Sequence, residues 1–162
     1  MQKVTPCLWF DMNAEEAINY YVSVFKNSKI IRIDKYPDES LDEHFKGMSG
    51  KVINGEFELD GVKFTCLDGG PTFKFNESVS FVVDCADQEE VDYYWEKLSA
   101  VPESEQCGWC KDKFGVSWQI IPKRLGELLN DPDQGRANRA MQAMMGMHKI
   151  EVAELEKAAD GE

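Results

Sequence analysis

The chain is poor in histidine and in positive charge. It has two histidines, His44 and His148, and five cysteines in 162 residues. An imidazole-rich metal centre or a His-activated nucleophile has few residues to draw on. Lysine and arginine together number 18 against 30 aspartates and glutamates, so the formal net charge is −12. Polyanions and anionic membrane surfaces both reward Lys and Arg, so this balance argues against nucleic acid and against a membrane as partners. No apolar run approaches the roughly 20 residues needed to span a bilayer. Residues 1–7 hold no apolar stretch before a small-residue cleavage site, so no secretory leader is expected. The reading is a cytoplasmic protein. The odd number of cysteines, mostly in apolar strand contexts, fits buried free thiols.

What the chain does have is a repeat. Leu8-Trp9-Phe10-Asp11 leads into a helical pattern carrying Tyr20-Tyr21, and Phe81-Val82-Val83-Asp84 leads into another carrying Tyr93-Tyr94. A gapless offset of 73 residues places Asp11 on Asp84, Glu16 on Glu89, Ile18 on Val91 and Phe25 on Leu98. A fixed period of this kind dictates architecture. In the first copy, period-2 patterns predict strands over 4–10, 29–36, 51–59 and 62–67, with Asp60-Gly61 as a hairpin turn. Asn13 is the expected N-cap of the helix, whose buried stripe is Ala17, Ile18, Tyr21, Val24 and Phe25. Residues 37–50 read as a polar loop.

The second copy predicts strands over 78–84, 101–106, 108–113 and 116–121. Asp87 is expected to cap its helix, and a tight turn falls near Phe114-Gly115. The hairpins align at an offset of 54 residues, Gly61-Val62 on Gly115-Val116. Helical patterns follow over 125–129, from 133 or 134 to 147, and over 150–158, and the final four residues are expected to fray. The fold class is α+β: two β-α-β-β-β modules, residues 1–75 and 76–124, and a C-terminal helical extension, 125–162, in one compact domain. Paired, the two sheets wrap a cavity.

Strand alternation chooses what lines it. Val79, Phe81 and Val83 belong under the helix, as do Val4, Pro6, Leu8 and Phe10, and Phe57, Leu59, Val62, Phe64 and Cys66. The cavity side then carries Thr5, Cys7 and Trp9; Ser78, Ser80 and Val82; Lys63, Thr65 and Leu67; and Ser117, Gln119 and Ile121.

Several runs are specific. Thr5-Pro6 with Leu8-Trp9-Phe10-Asp11, Gly69-Gly70-Pro71 with Phe73 and Phe75, Cys107-Gly108-Trp109, Lys111-Asp112-Lys113-Phe114-Gly115 with Ser117-Trp118-Gln119, and Met141-Gln142-Ala143-Met144 resemble the PhnB-like branch of the vicinal oxygen chelate superfamily. That superfamily includes glyoxalase, bleomycin-resistance proteins and extradiol dioxygenases. The branch often carries the label 3-demethylubiquinone-9 3-methyltransferase. The resemblance implies the glyoxalase/bleomycin-resistance fold and a homodimer, with the C-terminal helices as a candidate interface.

It also implies where a metal would sit: on His, Glu or Gln near the starts of the first and fifth strands and along the fourth and eighth. Here those positions read Thr5 or Pro6, Ser78 or Val79, Thr65 and Gln119. A lone neutral amide does not hold Zn, Mn or Fe, so neither a metal nor another cofactor is expected. Methyl transfer is also disfavoured. A typical S-adenosylmethionine enzyme has a glycine-rich strand-to-helix turn, and Gly69-Gly70-Pro71 leads into Phe-rich chain instead.

The favoured reading is a protein that binds an uncharged or planar small organic molecule. Cys7, Trp9, Thr65, Ser78, Ser80 and Gln119 would line the pocket, with Trp109 at its mouth. Two alternatives stand beside it: a metal-dependent lyase, isomerase or oxygenase using His44 or Asp68, and an interaction module with a vestigial cavity. Cys107 and Cys110 enter a strand rather than a helix N-terminus, which argues against a redox pair. Cys7 has no general base near it in sequence. His44 reads as a solvated loop residue that a lid would carry over the cavity. Arg136 and Arg139 are expected to pair with the acidic surface.

Overall fold

The repeat folds as two units, Met1–Phe75 and Asn76–Glu162, in a computed structural model that describes all 162 residues. The first unit runs β1 (Cys7–Phe10), α1 (Ala14–Val24), β2 (Lys29–Lys35), β3 (Val52–Leu59) and β4 (Val62–Asp68). Its sheet has the order β1-β4-β3-β2, with β1 and β4 parallel and the other pairs antiparallel. Alternation sets the buried face as expected: Leu8, Phe10, Phe57, Leu59, Phe64 and Cys66 are all buried, as are Ala14, Ala17, Ile18, Tyr21 and Val24 of α1. Burying each large side chain contributes about 1.5–3 kcal/mol. Val4 and Val62, expected on the same face, are exposed. Val4 lies before the strand, which begins at Cys7, and Val62 is the first residue after the Asp60-Gly61 turn.

The entry to α1 is a further correction. Asn13 makes no side-chain cap bond. The Ala14 N–H donates instead to Asp68 Oδ1 at 2.9 Å, and the Val52 N–H donates to Asp68 Oδ2 at 2.9 Å. The parallel pairing brings Asp68 opposite Phe10, so a residue from the end of β4 supplies the negative charge that a helix N-terminus favours. The segment over 37–50 is built from two short 3-10 turns, Glu39–Leu41 and Glu43–Phe45, entered at Asp38 and Asp42. Phe45 packs edge-on against Tyr36, and Met48 is buried.

The second unit runs β5 (Ser80–Cys85), α2 (Gln88–Leu98), β6 (Trp109–Lys111), β7 (Ser117–Pro122), α3 (Lys123–Leu129), α4 (Gln134–Met145) and α5 (Val152–Asp160). Its sheet has the order β5-β7-β6. Asp87 caps α2 as expected, accepting the Glu90 N–H at 3.0 Å. The strand expected over 101–106 is absent. Pro102, which has no N–H for a ladder, opens a 3-10 turn over Pro102–Ser104. Gln106 and Trp109 then exchange both backbone hydrogen bonds, at 3.1 and 2.8 Å, around Cys107 and Gly108, whose φ angles are 51° and 87°. Positive φ at both central residues makes this a type I′ hairpin turn.

The turn after β6 is wider than its counterpart in the first unit. Lys111 pairs with Ser117, and the Asp112 carboxylate closes the loop between them. Thr65 therefore stands opposite Cys7 while Ser117, not Gln119, stands opposite Ser80. The hairpin alignment is two residues out of step, an even slip that leaves every side chain on its expected face. Phe81 and Trp118 do meet on the helix side, at 5.5 Å between ring centroids. Val79, expected there, precedes β5 and is exposed.

The extension forms its own core of Leu125, Leu128, Ala140, Ile150, Leu155 and Ala159. Asp133 caps α4 by accepting the Gly135 N–H at 2.9 Å. The last residues are held rather than frayed: Gly161 takes the left-handed conformation at φ 82°, and Arg139 donates to the Ala158 and Ala159 carbonyls. Arg136 pairs with Asp131 at 3.0 Å and with Asp160, as its acidic surroundings led us to expect. No helix is long and apolar enough to cross a membrane.

Candidate functional site

A cavity of about 770 Å³ opens in the second unit, within the size range of small-molecule sites. One wall is the sheet face that alternation assigns to the interior, with Val82 from β5, Trp109 from β6, and Ser117, Gln119 and Ile121 from β7. The opposite wall is the extension: Leu125 from α3, and Met144 and Met145 from α4. Backbone bonds hold that wall in place. Cys107 N–H donates to the Met147 carbonyl and Gly108 N–H to the His148 carbonyl, each at 2.8 Å. Gln106 Nε2 donates to the Met145 carbonyl at 2.9 Å. On α2, Gln88 accepts from the Val152 N–H, and Asp92 binds Lys149 Nζ at 2.6 Å.

The polar groups at the cavity are few. Gln119 Nε2 donates to Ser80 Oγ at 2.9 Å. Glu77 pairs with Lys111, and that hydrogen bond holds its carboxyl below the usual range. Cys110 is buried, and burial, with Asp112 and Glu105 nearby, pushes its thiol up to about 12. Cys107 shares the cavity wall with Cys110, and both are free thiols. A thiol so far from ionising is no partner for redox exchange at neutral pH.

The structure divides the expected site residues. Trp109 and Gln119 line the cavity, and Ser80 stands behind Gln119 as its hydrogen-bond partner. Ser78 precedes β5, is exposed, and bonds Asn76 Oδ1 through its hydroxyl at 2.5 Å. Cys7, Trp9 and Thr65 belong to the sheet of the first unit. Cys7 is exposed there. The Trp9 Nε1–H donates to the Gly70 carbonyl at 3.0 Å, and its ring meets Phe73 edge-on. Gly69 lies flat against that ring, where an added Cβ would come within 2.1 Å of it. Thr65 Oγ1 reaches the Pro6 carbonyl at 3.4 Å.

The residues at the superfamily's metal positions do not fit a cation. Thr65 offers a hydroxyl engaged with a carbonyl, and Gln119 offers a single neutral amide oxygen, its Nε2 being bonded to Ser80. Asp68 has both oxygens committed to backbone N–H groups. His44 is exposed and bonds Asp42 Oδ1 through Nδ1 at 2.7 Å. No group of three or more His, Cys, Asp or Glu side chains is placed to hold a metal ion.

Strand alternation, which chose the expected lining, does not reach Met144, Met145 and Leu125, which lie on helices. Their one distinguishing signal was a pair of adjacent methionines on a short amphipathic helix. Met145 is 58% exposed, which a core residue would not be.

Comparison with known proteins agrees with this architecture. The family model 3-demethylubiquinone-9 3-methyltransferase matches residues 2–121. A Bacillus cereus PhnB protein, assigned by name to those methyltransferases, is 38% identical, with a TM-score of 0.62 over 75% of this chain and 99% of its own. Protein PA1353 from Pseudomonas aeruginosa shares the fold at 15% identity, with a TM-score of 0.56 over 75% of this chain and 98% of its own. No curated protein matches. With two sheet-and-helix units in tandem and a family match over nearly three quarters of its length, the chain belongs to the PhnB-like family labelled 3-demethylubiquinone-9 3-methyltransferase and has the glyoxalase fold of that branch.

Proposed function

We propose that the protein binds a small, uncharged organic molecule in the cavity of its second unit, without a metal ion. The supporting observation is the cavity's chemistry: apolar walls around Trp109, Val82 and Ile121, with the Gln119 amide and a neutralised Glu77–Lys111 pair among its few polar features. Sites of this composition bind through apolar burial and use a few polar groups for orientation. A metal-dependent lyase or oxygenase would need donors that one tethered amide does not supply. Methyl transfer, which the family's name carries, has less support. Gly69 and Gly70 lead into a turn, and the sheets are mixed, unlike the parallel sheet and glycine turn that hold a nucleotide-type methyl donor.

The proposal includes a homodimer in a cytoplasmic setting, with a two-fold axis as is usual for small soluble proteins. Sedimentation at micromolar concentration tests the dimer, and a monomer would remove that part. Ligand-observed NMR with a set of neutral aromatic fragments tests the site. Binders are expected, and Trp109→Ala and Gln119→Ala should weaken them. If no fragment binds, or if both variants bind unchanged, the reading is wrong.

A further inference from the structure

We propose that the helical extension is a working wall of this cavity and that Ser117 is its polar anchor, so that the ligand is a neutral, mostly apolar molecule carrying a single hydrogen-bonding group. This rests on the binding reading above and names the ligand's class.

Ser117 carries the first argument. It is 2% exposed, and its Oγ is buried with no hydrogen-bond partner. Buried polar side chains normally have one, and an exception calls for an explanation. Alternation along β7 puts Ser117 on the face of Gln119 and Ile121, and it lines the cavity with them. On the same face Gln119 Nε2 already bonds Ser80 and Lys111 pairs with Glu77. A serine hydroxyl turns about one bond and both donates and accepts. A ligand group placed beside it would supply the missing partner.

The extension carries the second argument. The family model stops at residue 121, before α3. Yet Leu125, Met144 and Met145 form the wall facing the sheet. They are not a loose tail, since the Gln106 side chain binds the Met145 carbonyl and the Cys107 and Gly108 N–H groups bind the carbonyls of residues 147 and 148. Methionines are polarisable and adapt to flat or irregular apolar shapes. The one charge on the lining, Glu77, is matched by Lys111, so no unpaired cation or anion awaits a charged ligand.

The test titrates the full chain with 2-naphthol and with naphthalene, its twin without the hydroxyl. Naphthol should bind about tenfold more tightly, the scale of one buried hydrogen bond. Ser117→Ala should collapse that ratio to about one while leaving naphthalene binding in place. Met145→Glu, at an exposed position that tolerates charge, should weaken both probes by about tenfold or more; Met144→Ala serves as the second variant should the first unfold. An unchanged ratio in Ser117→Ala overturns the anchor, and unchanged binding in both methionine variants overturns the wall. In either case Trp109→Ala must still weaken the probes, which leaves the binding reading standing. If neither probe binds the wild-type chain at millimolar concentration, both readings fall.

Discussion

Gln119 donates its amide to Ser80 Oγ at 2.9 Å, tying β7 to β5 on the cavity side of their parallel pair. Parallel pairing sets Gln119 opposite Val82, so the amide leans diagonally to reach the hydroxyl. The bond fixes the orientation of the one neutral polar side chain that reaches both the cavity and a neighbouring strand. Ser80→Ala should cost about 1 kcal/mol, the net worth of one such bond. Denaturant unfolding checks the figure, and an unchanged midpoint would mean that the amide finds another partner.

Asp112 should be the most sensitive position in the second unit. Its carboxylate accepts the Phe114 and Val116 N–H groups at 2.8 and 3.0 Å and the Trp118 indole N–H at 2.8 Å, and it is 1% exposed. Asp112→Ala leaves two buried donors and one half-buried donor without a partner, a loss of about 3 kcal/mol or more. Asp112→Asn keeps one carbonyl oxygen and should lose less. Equilibrium unfolding of the two variants should rank them in that order.

Asp68 predicts a pH effect through Tyr36. The Tyr36 hydroxyl donates to the Asp68 backbone carbonyl at 2.7 Å. Burial first, and then the Asp68 charge, raise the phenol above its ordinary value. A folded-state pKa above the unfolded one gives stability that is whole below about pH 10 and is lost as pH rises through the folded value. Asp68→Asn removes the charge and should bring the Tyr36 titration down, seen as phenolate absorbance appearing at lower pH. It should also cost about 2 kcal/mol at neutral pH, because the Ala14 and Val52 N–H groups compete for one remaining oxygen. A Tyr36 titration unmoved in this variant would show that burial alone sets it.

The exposed thiol of Cys7 and three buried thiols should react in a fixed order. Cys7 is exposed, whereas burial pushes Cys66, Cys85 and Cys110 each up to about 12. Only thiolates alkylate, so iodoacetamide at pH 8 should label Cys7 first and leave those three unmodified until the protein is unfolded. Mass mapping of the native protein reads this directly. Early labelling of Cys110 would place the β6 side chains on the wrong faces.

Much of the fold was legible because its signals are local. Alternation in β3, β4 and β7 reports burial residue by residue, and Asp60-Gly61 declares its own turn. The two-residue slip in the second hairpin did no harm, because side-chain direction depends only on parity. Features that depend on distant partners were not legible. Asn13 looks like a cap, but the group that caps α1 lies 54 residues away from Ala14, on β4. Residues 101–106 have strand-like spacing, but Pro102 and the positive φ at Cys107 turn the chain instead. The same limit holds at the cavity. Gln119 follows from strand parity, whereas Met144 and Met145 reach the cavity because residues 106–108 bind the backbone at and just beyond the end of α4.

That tether has a consequence for synthesis on the ribosome. Residues 106–108 emerge about 40 residues before the carbonyls they will bind, which at 5–20 residues per second is about 2–8 s. Once Ile121 has followed, about 25 residues ahead of those carbonyls, the inner face of β7 and β6, with Trp109 and Ile121, has no wall. The nascent chain passes through a stage in which its future cavity face is open to chaperones or to another chain. Slow translation across α3 and α4 would lengthen that stage.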